Sequence, residues 1–156
     1  MPTTLRFATI NEICADVQTA IQALSLFESV VRFHGSKFET IRSAIENTIR
    51  CPACIIQPGI GNFDEQSVAN GRTVGLVLYL VTEEQVLTED AEYASLATLA
   101  EAVMDAFLPA AATAADDRAI NDVLYRPLGW SAIDFDSQYD VYRVNLLAWD
   151  CRRNRA

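Results

Sequence analysis

The sequence predicts an α+β fold, a two-layer sandwich in which helices lie mainly on one face of a mixed, mostly antiparallel sheet. Three observations lead there. Helical and strand-like patterns follow one another as α, β, α, β, β, α, β, β, an order that does not repeat a β-α unit. Residues 73–82 are apolar at both strand parities, the signature of a strand covered on two sides. A chain of 156 residues, 51% of them hydrophobic, is long enough to bury roughly 70% of its unfolded surface without a disulfide or metal. One domain spanning residues 1–156 is expected.

The first helix announces itself by Thr9-Ile10-Asn11-Glu12, a capping box, with Ile10, Ile13, Cys14, Val17, Ile21 and Leu24 on one stripe. Residues 28–34 form a short strand in which Val31 and Phe33 alternate with Arg32 before Gly35 ends it. Ser36-Lys37-Phe38-Glu39 repeats the capping signature, and Phe38, Ile41, Ile45 and Ile49 carry a second helix to about residue 48. Residues 51–57 make a buried strand entered through Pro52 and ended by Pro58. A long polar loop at about 58–72 follows.

In the strand at 73–82, Val74, Leu76, Leu78 and Leu80 point one way and Val77, Tyr79 and Val81 the other, so a central position is expected. The third helix opens at Thr88 with Glu89, Asp90 and Glu92, acids that suit the positive end of its dipole. It buries Leu96, Leu99, Val103 and Phe107 before Pro109. Residues 110–129 suit a loop as well as a short helix. Residues 130–135 and 139–149 flank Asp136-Ser137-Gln138, the composition of a hairpin turn, and should close the sheet.

The formal net charge of −9 argues against a sequence-specific nucleic-acid partner, because the average surface repels phosphate. Arg152, Arg153 and Arg155 read as a frayed, solvated end. The longest apolar run, residues 74–81, is far short of the roughly 20 residues a membrane helix requires. The first residues carry no secretory pattern, so a cytoplasmic location without membrane partners is expected.

No arrangement of chemical groups points to catalysis, a cofactor or a metal. Cys51 and Cys54 form a C-x-x-C pair, but residues three apart on a strand face opposite ways, and neither Cys14 nor Cys151 is spaced to complete a site. His34, the sole histidine, stands beside Gly35 with no nucleophile motif near it. Asp134, Asp136 and Asp140 bracket the hairpin and suit turn chemistry better than paired acid-base work. Pro58-Gly59-Ile60-Gly61-Asn62 is glycine-rich after a strand, yet no helix opens there to cradle a phosphate. The loop's length itself points to partner contacts.

This layout resembles the tail terminator or tail-completion proteins of contractile-tailed, Mu-like phages and prophages. The resemblance is carried by the amphipathic first helix and by the helix leading into Cys51-Pro52-Ala53-Cys54-Ile55-Ile56. The polar excursion, the apolar strand at 73–82, the helix at 93–107 and the closing Asp140-Val141-Tyr142-Arg143-Val144 complete it. It implies a structural virion protein: a homo-oligomeric ring, commonly hexameric, that caps the tail tube and forms the joint to the head connector. The protein would sit in the bacterial host's cytoplasm during assembly and afterwards in the virion tail. Contacts between copies would then fall on Ile60 and Phe63 of the excursion and on the sheet face carrying Val77 and Tyr79. Two other readings stay open: a small monomeric ligand- or peptide-binding module using the 58–72 loop, and a small metal- or thiol-dependent enzyme.

Overall fold

The structure is a computed structural model that describes residues 5–6, 8–63, 72–83, 96–109, 118–121, 123–133, 138–150 and 153–154. Three helices and a six-stranded mixed sheet make up most of it. In chain order the elements are β1 (Leu5–Arg6), α1 (Ile10–Gln22), β2 (Ser29–Arg32), α2 (Phe38–Asn47), β3 (Ala53–Phe63), β4 (Arg72–Glu83) and α3 (Leu96–Ala106). They continue with β5 (Arg118–Ile120), β6 (Val123–Ile133), β7 (Tyr139–Asp150) and β8 (Arg153–Asn154).

The sheet order is β2-β3-β4-β7-β6-β5, with β2 and β3 parallel and every other pair antiparallel. The expected α+β class holds, and β4 occupies the expected central position between β3 and β7. Strand parity sorts its side chains. Leu76, Leu78 and Leu80 join Val144 and Leu146 of β7 under the apolar stripes of α1 and α3. Tyr79 and Val81 face the other way, with Ala53, Ile55 and Val141, under Ile41 and Ile45 of α2. Two helices therefore cover one face and one helix covers part of the other. Helix α1 rests on β2 and β3, and α3 on β4 and β7.

The capping box of α1 forms as its sequence requires: Thr9 Oγ1 accepts from the Glu12 amide at 3.1 Å, and Glu12 accepts from the Thr9 amide at 3.4 Å. That of α2 does not form. The helix starts at Phe38 behind Lys37, which makes no side-chain cap bond. Phe38 packs on Tyr79 with ring centroids 5.8 Å apart, and Glu39 pairs with Arg42 at 3.7 Å rather than reaching back to cap. Ring packing fixes the first turn in place of Ser36. The opening signal of α3 at Thr88 falls outside the described residues.

Strand β3 runs through Pro58 to Phe63, so the excursion expected at 58–72 is in its first part an arm of a long β3–β4 hairpin. The carbonyls of Pro52 and Ile56 accept from β2-side amides, so even-numbered groups of β3 point toward β2. β2 pairs no further than Arg32 with Ile56, and Pro58 therefore lacks an amide where no partner strand remains. A register shift between Pro58 and Gly61 takes up the irregularity. Residues 64–71 lie outside the description.

Residues 123–129 belong to β6, which reaches well upstream of the expected start at 130. Ile120 pairs with Val123 across a two-residue connection in which Asn121 takes φ 49. A second register shift falls between Pro127 and Gly129, and Gly129 has φ 149, a conformation that side chains rarely adopt. β6 pairs with β7 as the hairpin reading expects, with the turn residues 134–137 undescribed. Residues 153–154 pair antiparallel with residues 5–6, which replaces the expected frayed basic end at that point.

Candidate functional site: the uncovered half of the sheet

Helix α2 covers the β2 side of its sheet face and the ends of β4 and β7 near Val81 and Val141. The remainder of that face has no described helix over it. Register places Thr73, Val77, Leu124, Arg126, Arg143, Leu147 and Trp149 there, on β4, β6 and β7. Val77, Leu124, Leu147 and Trp149 are half-buried, while Arg126 and Arg143 are exposed. Leu124, Trp149, Leu147, Arg126 and Thr73 line an open cleft of about 190 Å³.

Two arginines and no described carboxylate stand on this half of a chain whose net charge is −9. Arg143 lies across from Tyr79 in register and lowers its phenol pKa, yet burial outweighs this and raises it overall. The Tyr79 hydroxyl donates to Gln57 Oε1 at 3.2 Å, and Gln57 Nε2 donates to the Gly35 carbonyl at 3.0 Å. This short chain of bonds marks the border between the α2-covered half and the open half.

The four residues expected at an interface between copies part company here. Val77 stands half-buried beside the open half, whereas Tyr79 is 8% exposed beneath α2 and packs on Phe38. Tyr79 is thus a core residue of the monomer and offers little contact surface. Ile60 and Phe63 belong to β3 by backbone, and their side chains lie outside the description. Leu147, Trp149 and Leu124 were missed. Leu146-Leu147-Ala148-Trp149 is apolar at both parities, the same signal that identified β4, and Asn121-Asp122 between Ile120 and Val123 is a turn signal that would have placed Leu124 on a strand.

The groups weighed for chemistry are dispersed. Cys54 is fully buried among the α1 and α3 contacts, and Cys51 packs against the α2 cluster, so the C-x-x-C thiols do part to opposite faces. Cys14, Cys51 and Cys54 are free. Burial raises the pKa of all three, helped at Cys51 by the Glu83 carboxylate and opposed at Cys14 by Arg32. His34 is exposed just past β2, Asp140 lies on β7, and Asp134, Asp136 and Cys151 fall outside the description. Among the described residues no three His, Cys, Asp or Glu side chains are placed to hold a metal, and no described helix is long and apolar enough to cross a membrane.

No protein-family model matches this sequence, and no curated protein does. Among solved structures, a chain described as the virion of a native gene transfer agent particle aligns at 15% identity with a TM-score of 0.46, over 88% of this chain and 92% of that one.

Proposed function

We propose that this chain is a structural subunit of a phage or prophage particle, of the tail terminator kind. Copies of it close into a ring that caps the tail tube and joins it to the head connector. The observation that carries the reading is the open half-face. Val77, Leu124, Leu147 and Trp149 form an apolar patch on a sheet whose opposite side carries the larger core beneath α1 and α3, and burying such a patch against another copy is favourable. An acidic exterior fits the same role, since DNA passing through a ring would not adhere to it. In this reading the protein occupies the host cytoplasm during assembly and the virion tail thereafter, with tail-tube and head-connector proteins as partners. The 190 Å³ cleft at Trp149 favours the rival reading of a small monomeric binding module.

Light scattering across a concentration series separates the two. Mass rising above the 17.2 kDa monomer, or co-sedimentation with tail tubes, is expected of the ring subunit. A chain that stays monomeric at every concentration and ignores tail tubes would favour the binding module.

A further inference from the structure

The far half of β6 is a border of the sheet that no described strand covers. β5 pairs only with residues 123–125, so β6 stands alone on its outer side from there to Ile133. Backbone groups along a strand point alternately to its two neighbours. The Ile56 carbonyl points to β2, which turns Ile55 toward Tyr79 of β4, Leu78 of β4 toward Val144 of β7, and Arg143 of β7 toward Ser131. Trp130 and Ala132 therefore aim their N–H and C=O groups outward. The other end of the sheet gives the same answer. Ile120 and Val123 close a two-residue hairpin, so odd-numbered groups of β6 face β5, and the register shift between Pro127 and Gly129 passes the outward direction to even numbers. Among the described residues no backbone hydrogen bond reaches Trp130 or Ala132 from outside the ladder.

This border lacks the usual protection. Free edges are normally guarded by charge, proline or a bulge. Pro127 and the register shift guard its start, but Gly129-Trp130-Ser131-Ala132-Ile133 carries no charge. Trp130 is 52% exposed even though it stacks on Tyr142 with ring centroids 5.1 Å apart. The opposite border is guarded, because Gln18 already donates to the Val30 carbonyl of β2 at 2.8 Å. A second copy cannot continue the sheet from β6 to β2 without displacing it.

What fits β6 is β6 itself. Laid antiparallel about Ser131, it sets Trp130 across from Ala132 of the second copy on one face, and Ile133 across from Gly129 of the second copy on the other. Large meets small on both faces. A Cβ added at Gly129 would meet nothing within 4 Å, so there is room for the isoleucine. Centring the pair on Trp130 instead would set the two indoles against each other.

We propose that two copies of this chain join edge to edge through β6, antiparallel about Ser131, so that their sheets become one. The contact is isologous and closes at two copies. Its axis stands perpendicular to the sheet, which keeps like faces on the same side and makes the open half-faces of the two copies a continuous surface. It does not rest on the ring reading, since it uses the border of the sheet and leaves that half-face free. Few residues take part, so the pair is a weak one that forms as concentration rises.

Hydrogen exchange resolved to single amides, followed across a concentration series beside sedimentation, tests the proposal. Exchange at Trp130 and Ala132 should slow as mass approaches twice the 17.2 kDa monomer. Ala132→Pro removes only an outward amide. It should keep the monomer folded by circular dichroism and weaken pairing on the order of tenfold or more. Ser131→Lys and Ser131→Glu each set like charges across the axis and should weaken it too, whereas an equal mixture should pair again because Lys then faces Glu. A mixture no better than either variant alone overturns the proposal. So does protection of the two amides that is equal at every concentration, which would mean that residues of the same chain, such as those leading into β5, fill the edge. Amides that stay open throughout, or close only when tail tubes are added, give the edge to solvent or to a partner protein and overturn it equally. Val77→Glu should leave the pairing intact, so failure of the ring reading and failure of this contact are read separately.

Discussion

Cys54 shows how strongly a single side chain can report on this core. Its thiol is fully buried between the sheet and the two helices, and burial drives its pKa far above the ordinary 9.0. In the unfolded chain the same thiol ionises near 9.0, so the folded state is the one that holds the proton. The stability this gives is complete below pH 9 and declines as pH rises beyond it. Thermal unfolding temperatures should therefore be level near neutrality and fall above pH 9, with a shallower fall in Cys54→Val. An unchanged slope in that variant would put the alkaline sensitivity elsewhere, with Tyr79 next in line because burial raises its pKa too. At neutral pH the same proton keeps Cys54 a poor nucleophile, which leaves the sulfur a packing group.

Among the elements, α1 and α2 make a natural pair of controls, because their sequences carry the same capping signature and only one uses it. Thr9→Ala should lower stability by about 0.5–2 kcal/mol in denaturant unfolding, while Ser36→Ala should change it little. Equal losses would mean that Ser36 caps α2 after all. The contrast also marks what a sequence can say about elements. Period and caps placed α1 and the described part of α3, and double-sided apolarity placed β4. Pro58 misled because whether a proline ends a strand depends on where the neighbouring strand stops, and β2 stops opposite Ile56, two residues short of Pro58. Residues 123–129 were illegible for a related reason, since Pro127 and Gly129 break the alternation at a register shift that only pairing with β7 makes sense of.

For the molecule as a whole, the decisive distinction is between the two halves of one sheet face. Sequence parity assigned Val77 and Tyr79 to the same face correctly, but it could not say that α2 covers one and leaves the other at a margin. Which part a helix shields depends on the β2-α2-β3 crossover, and no local pattern encodes that. Val77→Glu should accordingly weaken association with only a small drop in thermal stability, whereas Tyr79→Glu should destabilise the monomer by several kcal/mol, because it places a carboxylate beneath α2. Similar unfolding temperatures for the two variants would contradict this division of the face. The open half itself was foreshadowed by the apolar parity of β7, although its cationic character emerges only once β6 brings Arg126 beside Leu147.

The bond from Gln18 Nε2 to the Val30 carbonyl, 2.8 Å long, has a consequence for crowding. The Val30 side chain packs on the core, but its carbonyl lies on the free edge of the four-residue strand β2, the kind of acceptor onto which a stray extended peptide adds itself. With that acceptor already occupied by a side chain from α1, an incoming strand would have to evict Gln18 before gaining its first rung. Many copies can then accumulate in one place, meeting through their broad faces, without this border seeding a fibril.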